Sequence, residues 1–140
     1  MAPLKTSVAL IERGKDGTFG IFTPQLNHSI IGEGKTVLEA KEDFLNSFFE
    51  MITSYTDDGK EIPSELKNIS FEFKYDIASF FDYYDYLNMS AFAKKAGINP
   101  SLLRQYKSGS TKYISENQMK KIETALHNIV NELSEVAFIM

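Results

Sequence analysis

Histidine, cysteine and carboxylate side chains are the first candidates for catalysis or metal binding in this chain of 140 residues. Its two histidines, His28 and His127, are far apart in sequence, and the absence of cysteine excludes thiolate zinc sites and cysteine nucleophiles. The carboxylates Glu12, Asp16 and Glu33 could approach one another on a sheet, as a metal-dependent nuclease requires. Asp16, however, precedes a glycine in a turn, where an Asp side chain stabilises the turn itself. We therefore expect no enzyme activity, no metal site and no cofactor.

A second group of side chains has the types and the spacing that read double-stranded DNA. The segment 93–109, AKKAGINPSLLRQYKSG, predicts two short helices around a tight turn, with Gly97 ending the first and Asn99 capping the second. Leu103 and Tyr106 are expected to point inward, which leaves the other face for base edges and phosphates. The candidate DNA-binding residues are Ser101, Leu102, Arg104, Gln105, Lys107 and Lys112. The alternative is a corner in which two helices pack, with the lysines on a solvated face.

The charge distribution favours DNA contact for this segment, although the net charge of the chain is −4. Residues 1–78 hold eight Lys or Arg against thirteen Asp or Glu, whereas residues 90–122 hold seven basic residues and one acid. Screening limits the reach of exposed charges to about 10 Å at 0.1 M salt. The sign of the local surface therefore matters more than the net charge.

Hydrophobic periodicity predicts the elements that position these side chains. Apolar runs between turn residues predict three antiparallel strands over 7–13, 18–23 and 30–33, and a fourth strand, at the edge of the sheet or near it, over 69–75. Thr36 and Glu39 form a capping box that opens an amphipathic helix of about five turns, whose aromatic stripe is expected to pack on the strands. Further helices are predicted over 77–87, over 90–96 with Ser90 as its cap, over 100–108 and over 115–135.

These elements predict an α+β fold in two domains. Residues 1–76 form a β-β-β-α-β domain, and residues 77–140 form an all-α domain that contains the two-helix motif. No run approaches eighteen apolar residues, and the first residues lack the apolar core of a secretion signal. We therefore expect a cytoplasmic protein that does not enter a membrane.

Both halves resemble known families. The segment 90–135 resembles the lambda-repressor/XRE class of helix-turn-helix domains. The run 12–42 looks like the N-terminal domain of HicB-type antitoxins, and the shared features are Asp16-Gly17-x-Phe19, Pro24-x-Leu26, Gly32-x-Gly34-x-Thr36 and the helix opening Thr36-Val37-Leu38-Glu39-Ala40. Each feature has a physical explanation: a turn for the first, a loop closure for the second, a left-handed backbone for the glycine pair, and a capping box for the helix opening.

The HicB resemblance implies a partial ribonuclease H-like domain without an active site. Such a domain binds and blocks a HicA-type toxin, which is an mRNA-cleaving ribonuclease, while the C-terminal domain represses the operon of the pair by binding operator DNA. The acidic first half would suit a basic toxin. The candidate toxin-binding residues are Asp16, Glu33, Glu39, Glu42 and Asp43.

We further expect a homodimer or higher oligomer through the C-terminal half, because a symmetric dimer presents two recognition helices about 34 Å apart to a palindromic operator. Two alternatives stay open. The first is a stand-alone transcription regulator whose α+β domain senses a ligand or a protein. The second is a surviving nuclease of ribonuclease H type.

Overall fold

A computed structural model describes residues 4–111 and 114–140, which divide into two compact units, the first ending at Phe80 and the second beginning at Phe81. The described residues form an α+β structure with one mixed four-stranded sheet and five α-helices. Each unit is described by itself below.

The sheet of the first unit contains the four predicted strands in the order β3-β2-β1-β4. These strands are β1 (Lys5–Arg13), β2 (Phe19–Phe22), β3 (Ile31–Gly34) and β4 (Ile69–Tyr75). β2 pairs antiparallel with both β1 and β3, as the predicted meander requires, and β4 pairs parallel with β1 at the edge. A parallel pair needs a long crossover, and helix α1 (Val37–Asp57) provides it. The predicted order β-β-β-α-β is therefore confirmed.

The start of α1 is fixed by Thr36, the predicted cap residue. The Thr36 hydroxyl accepts the Glu39 N–H at 3.0 Å, as predicted, whereas the Glu39 carboxylate accepts the N–H of Lys35 at 2.9 Å and not that of the cap residue Thr36. Phe44 is fully buried, and its ring meets Phe71 of β4 edge-on, with centroids 4.9 Å apart. The core between α1 and the sheet consists of Ala9, Ile11, Phe19, Ile21, Ile30, Ala40, Phe44 and Leu66. The apolar stripe of α1 is wider than this contact, so part of it does not pack on the strands.

Gly32 and Gly34 allow α1 to lie directly against β3. A Cβ on Gly32 would stand 2.5 Å from the Phe44 Cα and 2.6 Å from the Ala40 carbonyl oxygen, and one on Gly34 would stand 2.5 Å from the Ala40 nitrogen. Neither glycine has a positive φ. The expected left-handed backbone at this pair is therefore wrong, and the reason for glycine here is the close approach of two backbones.

The second unit is helical. Its elements are α2 (Ile77–Tyr83), whose first residues belong to the first unit, α3 (Met89–Ala96), α4 (Pro100–Ser108) and α5 (Glu116–Ser134). The core of this unit consists of Phe81, Phe92, Ala93, Ile98, Leu103, Tyr106, Ile122 and Ala125. No helix in the described part of the chain is long and apolar enough to cross a membrane.

Two predicted helix boundaries in this unit are wrong, the start of α3 and the end of α2. Asn88, not Ser90, caps α3, because the Asn88 side-chain oxygen accepts the Ala91 N–H at 2.9 Å. A cap residue needs an extended backbone, and Asn88 has φ −72° and ψ 115°. The preceding helix, α2, ends at Tyr83 and does not reach the predicted end at Leu87.

Candidate functional site

The turn between α3 and α4 is fixed at both ends by local hydrogen bonds. Gly97 ends α3 with φ +72°, and the following N–H, that of Ile98, donates to the Ala93 carbonyl at 2.9 Å. The Asn99 side chain accepts the Ser101 N–H at 2.8 Å and so opens α4. Ala93 is fully buried, so the small side chain lets the two helices pack closely. The relative orientation of α3 and α4 is thus set by the residues that the sequence singled out.

The orientation of α4 places the predicted DNA-binding residues as follows. Leu103 and Tyr106 are buried, as predicted, while Ser101, Arg104 and Gln105 are exposed. Leu102 and Lys107 are half-buried, and Lys112 lies outside the described residues. Three of the six candidates therefore share one open face of α4, with two more at its margin.

Gln105 is held in place by the last residue of α4 and by a residue that follows the helix. The Thr111 hydroxyl donates to the Gln105 side-chain oxygen at 2.9 Å, and the Ser108 hydroxyl donates to its backbone oxygen at 3.1 Å. An amide oxygen has two lone pairs and the amide nitrogen has two hydrogens. The side chain therefore keeps one acceptor position and its donors for a ligand while its orientation is fixed. The sequence analysis missed this role of Thr111, for which the polar run SGST after Lys107 was the available signal.

The basic surface around α4 is thinner than the count of basic residues indicates. Lys95 donates to both carboxylate oxygens of Glu132 at 3.0 Å, and Lys120 pairs with Glu116 at 3.2 Å. Arg104 makes a 3.3 Å contact with the Ser90 hydroxyl, which leaves most of its donors available. Within the described chain, Lys94 of α3, Lys107 of α4 and Lys121 of α5 have no carboxylate partner, so on α4 itself the free positive charge is carried by Lys107 and Arg104.

Three of the five predicted toxin-binding carboxylates stabilise the first unit. The Asp16 carboxylate accepts hydrogen bonds from the Thr18 hydroxyl at 2.7 Å and from the Thr18 N–H at 3.0 Å. These bonds lower the pKa of Asp16 below its ordinary value, and the hydroxyl bond has the largest effect. Asp43 accepts the Glu33 N–H at 2.8 Å, while Glu39 accepts the Lys35 N–H. The Asp43 bond satisfies an N–H of β3, the strand at the edge of the sheet, and the Glu39 bond satisfies the N–H of the residue after it, so neither donor is open to a further strand.

The side chains of Glu33 and Glu42 are exposed and make no ion pair or hydrogen bond with another described side chain. Glu33 lines an open cleft of about 500 Å³ together with Glu12 and Asp16. Gly20 pairs with Glu12 on one side and with Glu33 on the other, so the two carboxylates flank a position without a side chain. The structure thus brings together the three carboxylates that the sequence analysis weighed as a nuclease site. No cluster of three or more His or carboxylate groups in the described chain has a geometry that could hold a metal ion.

Glu65 organises the loop of the first unit that contains His28, and sequence reasoning missed it. One Glu65 oxygen accepts the Asn27 N–H at 3.1 Å, and the other accepts the His28 N–H at 2.7 Å and contacts Nδ1 of the His28 ring. These hydrogen bonds lower the pKa of the Glu65 carboxyl below its ordinary value, and the bond with the His28 side chain has the largest effect. Glu65 lies in a short 3-10 helix, Ser64–Leu66, that is far away in sequence, so no local pattern predicts the contact.

The chain matches no protein-family model, no curated protein and no solved structure. The arrangement of the chain's own residues therefore carries the functional argument.

Proposed function

We propose that this protein is an antitoxin that binds a basic, RNA-cleaving toxin of HicA type through its first unit and represses its own operon through its second unit. The observation that carries the proposal is the α3–turn–α4 arrangement. Its two ends are capped by Gly97 and Asn99, and it exposes Ser101, Arg104 and Gln105 on one face. A helix held in this way, with polar side chains outward, has the properties of a recognition helix for the major groove.

The chemistry of the exposed face supports base and phosphate contacts. Gln105 can pair with adenine through its amide, and its fixed orientation lowers the entropy lost on binding. Arg104 and Lys107 would meet phosphates, which position a protein on DNA without reading the sequence. Leu102, half-buried beside them, can contact a thymine methyl group.

Exposed apolar side chains near the C-terminal end of α5 support the operator-binding part of the proposal, because they could form a dimer interface. Val130 and Leu133 near the end of α5 are each 63% exposed, and the residues that follow include the exposed Phe138 and Ile139. Val130 and Leu133 lie about one turn apart on α5, and exposed apolar side chains grouped in this way mark protein interfaces. A two-fold dimer through this surface would present two α4 helices to a palindromic site.

The charge of the first unit supports a basic protein partner. Residues 1–78 carry a net charge of −5, and the exposed Glu33 and Glu42 remain available for contact. Complementary charge speeds encounter and fixes the orientation of two proteins. A basic ribonuclease is a partner of this kind.

Selection of bound duplexes from a random DNA pool tests the DNA-binding part. We expect the full chain to enrich a palindromic sequence, and we expect Arg104→Ala to weaken binding to every duplex. Glu72→Gln, a charge change on β4 of the first unit, is the control and should leave DNA affinity unchanged. If neither Arg104→Ala nor Gln105→Ala alters DNA binding, α4 is not the recognition helix.

Co-expression tests the toxin-binding part. A small neighbouring reading frame that encodes a basic protein should arrest growth when expressed alone, and this chain should restore growth and form a complex with the product. A chain that binds DNA but neither rescues growth nor forms a complex would be a stand-alone regulator.

A further inference from the structure

The solvent side of α1 carries apolar side chains that the first unit does not cover. Leu38 is 67% exposed, Leu45 37% and Phe49 60%. Their spacings of seven and four residues place them in one row along the helix. The side of α1 that packs on the sheet is a different one, occupied by Ala40, Phe44 and Phe48. Single exposed apolar residues are ordinary, whereas a row of three large ones on one helix forms a patch.

Carboxylates border this row on one side. α1 contains five acidic residues and one lysine, and Glu42, Glu50 and Asp57 lie beside the row at helical spacing. Glu50 and Asp57 line a shallow cleft of about 510 Å³ together with Phe49, Asn46 and Thr53. With Asp58 also in its lining, the cleft combines an aromatic side chain with three carboxylates.

The single cation of α1 does not neutralise these carboxylates. The Lys41 Nζ lies 4.9 Å from the centre of the Phe73 ring, so the ammonium group is directed to the sheet side of the helix. Within the described chain, Glu42, Glu50 and Asp57 have no cationic partner. The negative field along the outer side of α1 is therefore open to solvent.

We infer that the outer side of α1 is a docking surface for a basic protein that presents apolar side chains between lysines or arginines. The inference rests on the proposed function and narrows the expected toxin contact. Of the predicted residues it keeps Glu42 on α1, leaves out Asp16 and Glu33 on the strand side, and centres the contact on the row formed by Leu38, Leu45 and Phe49. A second copy of this chain is disfavoured as the occupant, because two α1 helices face to face would bring like charges together. Nucleic acids and anionic membranes carry the same sign as α1 and are disfavoured for the same reason.

Binding of a defined basic peptide to the full chain tests this surface without knowledge of the toxin. The probe is an 18-residue amphipathic peptide with leucine on one helical face and lysine on the other, followed by calorimetry and amide chemical shifts. We expect shift changes along residues 38–57. We expect Phe49→Ser and Leu38→Ser each to weaken binding by about tenfold, because such apolar anchors supply most of the affinity of an interface.

Matched variants separate docking from loss of structure. Ile31→Ser removes an equally exposed apolar side chain from β3, and Glu72→Gln removes a carboxylate from β4; both point away from α1, since the neighbours Gly32 and Phe71 face it. These two variants should bind the peptide like the parent chain. Glu50→Gln should weaken binding roughly threefold and reduce its salt dependence.

Three results would overturn the inference. The first is the absence of peptide binding. The second is an equal loss of peptide affinity in Ile31→Ser and Phe49→Ser, and the third is a set of amide chemical-shift changes centred on residues 12–20 and 33. A change of oligomeric state in Phe49→Ser alone would instead assign the row to contact between copies. Peptide binding on α1 together with failure to rescue growth would leave the docking surface standing and refute the antitoxin proposal.

Discussion

The Gly32→Ala substitution tests the closest contact in the first unit, that between β3 and α1. The added methyl group would stand 2.5 Å from the Phe44 Cα and 2.6 Å from the Ala40 carbonyl oxygen. Carbon atoms pack best about 3.5–4.0 Å apart, so the helix must retreat from the strand by about 1 Å. No rotation of a side chain can relieve the clash, because the atoms that it meets belong to the backbone.

The cost of this displacement can be worked from its two opposing terms. Overpacking a tight core destabilises by about 1–3 kcal/mol, and a clash against backbone belongs at the upper end of that range. Replacing glycine by alanine restricts the unfolded chain, which offsets about 0.4–1 kcal/mol. We therefore expect Gly32→Ala to lower the free energy of unfolding of the first unit by about 2 kcal/mol, or the melting temperature by roughly 10 °C for a unit of this size.

Hydrogen exchange at Ile21 and Phe44, with thermal unfolding followed in parallel, would report on the first unit separately from the second. Gly20→Ala on β2 is the matched control, because a Cβ at Gly20 would meet no heavy atom within 4 Å. This variant should melt within a few degrees of the parent chain. If Gly32→Ala and Gly20→Ala are equally stable, close backbone approach is not the reason for glycine at position 32.

Three further predictions concern the second unit and the Glu65 contact. Arg104→Ala should lower affinity for all duplexes to a similar extent, whereas Gln105→Ala should relax preference at one base pair by about 1–3 kcal/mol; fluorescence anisotropy on single-base variants of the selected site would show a uniform loss for both if Gln105 reads no base. Leu133→Asp should shift the chain to monomer in analytical ultracentrifugation, and an unchanged sedimentation coefficient would contradict the proposed α5 interface. The His28 contact lowers the pKa of Glu65 in the folded state. The ionised Glu65 carboxylate therefore contributes to stability above its ordinary pKa of 4.5, and this contribution is lost as the pH falls through the pKa of the folded state. The difference in urea midpoint between the parent chain and Glu65→Gln should therefore shrink from pH 7 to pH 3, and a constant difference would show that ionisation of Glu65 plays no part.

Local patterns predicted most of the secondary structure of this chain. The cap at Thr36, the turn at Gly97 and the cap at Asn99 depend on neighbours within four residues, and all three occur as expected. The inward positions of Leu103 and Tyr106 follow from helical periodicity and were likewise confirmed. The cap of α3 was missed because two adequate cap residues, Asn88 and Ser90, stand close together, and local preference does not choose between them.

The tertiary structure decided which groups are available to a partner. Asp43 and Glu39 look like surface charges in the sequence, yet they bind backbone donors of β3 and its following residue. Leu38 and Phe49 look like core residues, yet both are exposed on a side of α1 other than the one that Ala40 and Phe44 pack on the sheet. Neither outcome follows from periodicity, which gives the side of a helix but not the width of the surface packed against it.

The sequence by itself determined the elements, their order and the two-helix motif, because caps, turns and alternation act over a few residues. Only the tertiary structure decided the role of Gly32, the fixed orientation of Gln105 and the clamp made by Glu65. The Gly32 contact joins β3 to α1, and the Glu65 contact joins the loop at His28 to the Ser64–Leu66 segment, so both depend on how separate elements pack. The Gln105 contact depends on how the chain turns back after α4.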